Sequence, residues 1–263
     1  MLGAATLVSS AVGLSASCNP APKWYENLMP KSSSKLKKKR IAVFGGAYDP
    51  PTTAHLTVCS EVIHSGMADE VWMVPSGPRP DKPSMKTPAV QRMVMCELAV
   101  NTYFTPSFPV KVSDMEVFRS RAMFTYDMLT ELKRENPDCD FSYVVGSDWL
   151  QPGTNIRSWR SIDPTDPTGK RTVVSGHKLV EEFDFLLLKR PGYEVADLNE
   201  YGPRFKWLDL GDLKFITSNL SSTELRKRMA ADREAAGPDS GLSLVDGLFP
   251  PAVLAYIRRQ SVY

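Results

Sequence analysis

The stretch Ile41–Leu56, IAVFGGAYDPPTTAHL, passes from an apolar strand through a glycine pair and a proline-braced loop into a helix. Its strand is apolar on successive residues, as a strand covered by helices on both faces should be. Gly45 and Gly46 let backbone N–H groups come close to an anion. Thr52 suits the N-cap of the helix, which puts His55 at the third helical position. Free amides, the positive end of the helix dipole and the imidazole then converge on one anion site. A plain strand-to-helix turn with a capping threonine and a surface histidine would carry the same letters. GGAYDPP is neither GxGxxG nor a Walker loop, which counts against the common dinucleotide and P-loop sites.

Outward from this stretch, short apolar runs alternate with amphipathic segments. Strands are expected at 40–45, 70–74, 108–112, 141–145, 183–188 and 205–208, and helices at 53–65, 88–100, 123–135, 222–231 and 251–259. In the second helix Val90, Met93, Val94 and Leu98 mark a stripe at helical spacing. The pattern predicts an α/β fold, a Rossmann-like parallel sheet flanked by helices. Loops at 75–88 and 161–176 are rich in Pro, Gly and charge, and their length makes them functional or disordered.

A second phosphate-holding pattern comes late, at Ser221–Arg226, SSTELR. Ser221 and Glu224 have the spacing of a capping box, which by itself means only a well-started helix. Ser222 and Arg226 are four apart on one face, so a hydroxyl and a guanidinium could grip one phosphate.

Composition narrows the class. Of 263 residues, 42% are hydrophobic and 24% charged, as in an ordinary globular protein. The run KSSSKLKKKR at 31–40 holds six of the 32 Lys and Arg and none of the 30 Asp and Glu. Without it the rest is acidic, so no nucleic-acid partner is indicated. Residues 1–39 are expected to be a flexible N-terminal tail ending in this basic, solvated run, and 40–263 the folded domain. Cys18, Cys59, Cys96 and Cys139 form no CxxC pair, which predicts reduced thiols in an intracellular protein and no metal site. No apolar run is long enough for a membrane span. A cytoplasmic location is expected, with a nuclear or organellar address and a homo-oligomer left open.

Taken together, Thr52–His55 and Ser221–Arg226 resemble the two signatures of the nucleotidylyltransferase superfamily, an [HT]xxH element after the first strand and a late SSTxxR. Within it the chain is most similar to nicotinate and nicotinamide mononucleotide adenylyltransferases. The likeness spans about 40–228 and includes VPSGPRPDKP, SDMEVFRSRAMFTYDML, VVGSDWL, RSWRSI and LLLKRPGY. Thr52, Ala54 and Tyr48 depart from the commoner histidine, glycine and phenylalanine of bacterial members.

The resemblance implies the nucleotidylyltransferase fold and transfer of AMP from ATP to a pyridine mononucleotide, with Mg²⁺ assisting and pyrophosphate released. It implies His55 and Arg226 as catalytic residues. It assigns ATP binding to Gly45, Gly46, Ala47, Thr52, His55, Gly146, Asp148, Ser222, Thr223 and Arg226. It assigns the mononucleotide to Tyr48, Lys82, Thr125 and Trp159, with Trp159 stacking on the pyridine ring. Arg92 is a further candidate for the mononucleotide phosphate, while His64 and His177 are expected to be surface residues. The alternatives are an adenylyl- or cytidylyltransferase with another phosphate acceptor, and a nucleotide-binding module without catalysis.

Overall fold

In the computed structural model, residues 37–263 are described, apart from 80, 81, 83, 84, 212–215, 217, 219, 238 and 239. The expected tail, but for its last three residues, and Cys18 lie outside the described residues. The elements in chain order are β1 (Lys39–Gly46), α1 (Thr53–His64), β2 (Glu70–Pro75), α2 (Ala89–Tyr103), β3 (Val110–Val112), α3 (Thr125–Glu135) and β4 (Cys139–Gly146). There follow β5 (Arg160–Ile162), β6 (Thr172–Val174), α4 (Gly176–Glu182), β7 (Asp184–Leu188), β8 (Phe205–Trp207), α5 (Ser222–Ala236) and α6 (Pro251–Gln260).

Six strands make one sheet in the order β3-β2-β1-β4-β7-β8, and every pairing in it is parallel. Side chains alternate across each strand, and the sheet is buried on both faces. Ala42, Val71, Met73, Val144 and Leu186 pack with α1, α2, α5 and α6 on one side. Ile41, Val43, Val145, Phe185 and Leu187 pack with α3 and α4 on the other. That is the expected helix-flanked Rossmann-like sheet. The chain leaves β1 for β2 and β3 on one side, then returns to β4, β7 and β8 on the other. The point of reversal, between β1 and β4, is where open parallel sheets bind ligands.

Three local expectations need correction. The core face of α2 is Arg92, Met95, Cys96, Ala99 and Val100, and Val90 is 45% exposed. The stripe read from sequence lies to one side because Arg92, counted as polar, belongs to the buried face. The loop at 161–176 is folded: β5 and β6 pair antiparallel, and Asp163 and Asp166 accept hydrogen bonds from Thr165, Thr168, Lys170 and Arg171. The end of the basic run is not linker, since Lys39 and Arg40 open β1 and pair with Glu70 and Asp69.

Cys59 and Cys96 are buried free thiols and Cys139 is a free thiol. Among the described residues, no helix is long and apolar enough to cross a membrane.

Candidate active site

A cavity of about 950 Å³ opens at the β1/β4 reversal. One end is floored by the β1–α1 turn and the start of α1. The other reaches the residues before α3 and the tryptophan that precedes β5.

Thr52 fixes the start of α1 at this end of the cavity. Its hydroxyl oxygen accepts from the His55 backbone N–H, and its own backbone N–H donates to His55 Nδ1 at 3.0 Å. This is a complete capping box in which histidine takes the position usually filled by Glu or Gln. Because Nδ1 is an acceptor, the neutral ring carries its proton on Nε2. Tyr48 packs edge-on to the same ring, with centroids 5.0 Å apart. Desolvation first, and then the positive charge of Arg190, push the imidazole pKa down to about 4. His55 therefore lines the cavity as a neutral N–H donor at pH 7.

Gly45 is required here for space, because a Cβ would stand 2.7 Å from the Tyr143 hydroxyl. Gly146, at the end of β4, is equally constrained: a Cβ would meet Asp148 Oδ1 at 2.3 Å. Asp148 Oδ2 accepts from Arg190 Nη1 at 2.9 Å, while its buried Oδ1 has no hydrogen-bond partner among the described residues. Arg190 also donates its backbone N–H to Ser147 Oγ.

At the far end, Trp159 is held edge-on by Trp149 and Tyr143, at 5.0 and 6.1 Å between centroids. Thr125 and Tyr143 both line this cavity. Glu116 accepts from the Gly77 N–H at 3.0 Å, and burial raises its carboxyl pKa.

Gly45, Gly46, Ala47, Tyr48, His55, Gly146 and Asp148 thus line one cavity together with Lys82, Thr125 and Trp159. The Tyr48 side chain is 1% exposed and its hydroxyl is donated to Phe44 O, so that hydroxyl is not offered to a ligand. Thr52, fully buried, acts through His55.

Ser222, Thr223 and Arg226 stand outside the lining. Ser222 Oγ donates to Pro50 O at 2.7 Å, and Arg226 Nη1 donates to Asp49 O at 2.5 Å. The two side chains do share one face of α5, but that face holds consecutive carbonyls of the β1–α1 loop. Glu224 turns its carboxylate to Arg228 (3.3 Å) rather than back to Ser221, so only half of the expected box forms.

Arg92 is not part of the cavity lining. It is 1% exposed and donates to the carbonyls of Ala47, Ser76 and Thr87, joining the β1–α1 loop to both ends of the β2–α2 loop. His64 and His177 are exposed, as expected.

Residues 43–228 match the cytidylyltransferase-like family. A probable nicotinate-nucleotide adenylyltransferase of Oceanobacillus iheyensis is 31% identical over 225 residues, covering 86% of this chain and 97% of that protein. The chain belongs to the nicotinate-nucleotide adenylyltransferase branch of this family. The nicotinate-nucleotide adenylyltransferase of Bacillus subtilis is 26% identical, over 86% of this chain and 98% of its own. Among solved structures, nicotinic acid mononucleotide adenylyltransferase of Plasmodium falciparum, complexed with NaAD, superposes with a TM-score of 0.66 at 26% identity. That match covers 86% of this chain and 97% of the other. The fold is therefore the nucleotidylyltransferase fold anticipated from the two helix starts.

Membership also sets in context the residues that sequence reading passed over. Arg190 lies inside LLLKRPGY and Trp149 inside VVGSDWL, and neither is among the expected site residues. Both carried a signal, a charge and an aromatic ring just beyond the C-terminal ends of β7 and β4.

Proposed function

We propose that the protein transfers the adenylyl group of ATP to nicotinate mononucleotide, giving nicotinate adenine dinucleotide and pyrophosphate. One observation carries this: a single cavity runs from a helix-terminus anion cradle at Gly45–His55 to an aromatic corner at Trp159. Its volume, about 950 Å³, suits two nucleotides end to end better than one.

An oxygen of the mononucleotide phosphate attacks the α-phosphorus of ATP, forming the new P–O bond as the bond to the β-phosphate bridge oxygen breaks. The bonding pair leaves with pyrophosphate. A phosphate monoester with its second pKa near ~6 is mostly dianionic at neutral pH, so no proton needs removal. The chain's task is alignment and neutralisation of growing charge on the leaving group.

His55 Nε2–H, the free amides of α1 and the Gly46–Ala47 backbone meet the ATP phosphates, and Arg226 joins from α5. Arg190 faces the same space and adds positive charge. Ser222 and Thr223 serve by holding the loop and Arg226. Asp148 Oδ1, buried and without a partner among the described residues, is an acceptor that a ribose hydroxyl would satisfy. Trp159 stacks on the pyridine, with Thr125, Tyr48 and Lys82 around the mononucleotide.

An ion serving this reaction would be carried mainly by the substrate phosphates. Mg²⁺ bound there would neutralise phosphate charge, and Asp148, the carboxylate of this end of the cavity, would help to hold it. The ligands are small molecules, with neither nucleic acid nor membrane involved, and the reaction belongs in a cytoplasm-like compartment.

The test is a turnover assay with ATP, Mg²⁺ and either nicotinate or nicotinamide mononucleotide. One dinucleotide per pyrophosphate, faster with nicotinate, is the expected result. ATP binding without product from either acceptor would overturn the proposal.

A further inference from the structure

Arg226 is anchored on Asp49 just outside the cavity lining, and Asp49 is held from behind by a residue 214 positions away. The chain leaves α6 through Ser261, whose φ of 51° is in the left-handed region. A helix commonly ends on such a residue, which turns the following chain back on itself. Val262 donates its N–H to Ile257 O and buries its side chain, and Tyr263 is thereby directed under the β1–α1 loop. The Tyr263 hydroxyl donates to Asp49 Oδ1 at 2.5 Å. The other carboxylate oxygen, Oδ2, stands 3.9 Å from Arg226 Nη1, the same nitrogen that donates to Asp49 O.

We infer that Tyr263 is a positioning residue for Arg226, acting through the carboxylate of Asp49. Asp49 is only 2% exposed, and a buried carboxylate is costly unless it is hydrogen-bonded. A second cation in the place of Tyr263 would compete with Arg226 for that charge. A neutral hydroxyl satisfies one oxygen and leaves the carboxylate's charge directed to the guanidinium. Burial first, and then the charge of Asp49, raise the phenol pKa above its ordinary value, so the hydroxyl stays a donor throughout the working pH range.

Arg226 spends Nη1 on Asp49 O and Nη2 on Thr223 Oγ1 at 3.3 Å. Its orientation toward a triphosphate is then set by where Asp49 is fixed, and Tyr263 is a fixed point on the far side. Arg92 of α2 donates to Ala47 O in the same loop, so α2 and the chain end after α6 hold that loop together.

This inference rests on the proposed role of Arg226, and its test separates the two. Tyr263→Phe keeps the ring and removes only the donor. It is compared with the parent, with Arg226→Ala and with the double variant, in turnover and in titration with inorganic triphosphate. The expected result is a turnover loss of about tenfold and a triphosphate affinity loss of about fivefold for Tyr263→Phe. Both losses vanish in the Arg226→Ala background, because interacting residues are not additive. Equal losses in both backgrounds, or none in either, would overturn the inference. If the parent makes no dinucleotide, the adenylyl-transfer reading fails, and the triphosphate titration still decides the role of Tyr263. Asp49→Asn provides a second route, since it keeps an acceptor for the phenol and removes the charge facing Arg226. It is expected to reproduce the affinity loss, and an unchanged affinity would count against the inference.

Discussion

At the start of α1 a histidine forms part of the cavity wall; at the start of α5 a serine and an arginine grip the backbone of the loop that leads to it. Both starts are capped by a hydroxyl residue in extended conformation, Thr52 and Ser221. They differ in what the third helical residue does. His55 bonds back to Thr52 and is locked against the site, whereas Glu224 turns outward to Arg228. In the first, spacing and function coincide in one turn of helix. In the second, Ser222 and Arg226 act across 170-odd residues of sequence on Pro50 and Asp49. Spacing tells which side chains share a face, and the neighbouring chain decides what that face touches.

If the difference is real, the α1 start should be the more sensitive to substitution. His55→Ala removes a donor aimed at developing charge and should lower turnover about 100- to 1,000-fold. Steady-state kinetics at saturating substrate would read this, and a loss below tenfold would place His55 outside the mechanism.

The electrostatics of the same residue give a second test. The imidazole pKa is about 4 in the folded protein against 6.5 ordinarily, so the unfolded chain binds the proton more readily. The stability that this contributes is complete above about pH 6.5 and is lost as pH falls toward 4. NMR titration of His55 should show the low value in the free protein and a rise when ATP is added. A midpoint near 6.5 that ATP leaves unmoved would break the account of this wall.

Ser222→Ala should have a smaller effect, because it removes one bond to Pro50 O and no contact with the cavity. About tenfold in turnover and about 1 kcal/mol in stability are expected. A loss as deep as that of His55→Ala would mean that Ser222 meets the substrate directly and that the two helix starts are alike.

Much of this fold was legible because the signals are local. Runs such as those of β2 and β7 are apolar on both faces, and Thr52–His55 is a capping pattern four residues long. The hairpin of β5 and β6 was missed because each strand has three residues, and Ser161, Ile162 and Thr172–Val174 fell within the expected loop. The seven-residue α4 is too short to show a helical period. Arg92 was misplaced because charge is a poor guide to burial when backbone carbonyls supply the partners. It shares a face with Met95, Cys96 and Ala99, and that spacing was the available clue. Nothing local announced Tyr263 or Asp49, whose partnership exists only once α6 folds back beneath the β1–α1 loop.

The most direct measurement is a crystal structure of the protein with nicotinate adenine dinucleotide bound. The account predicts one molecule spanning the cavity, its pyridine ring against Trp159 and its bridging phosphates over the start of α1 beside His55. A dinucleotide lying elsewhere, or with its pyridine away from Trp159 and its phosphates beyond reach of His55, would contradict it.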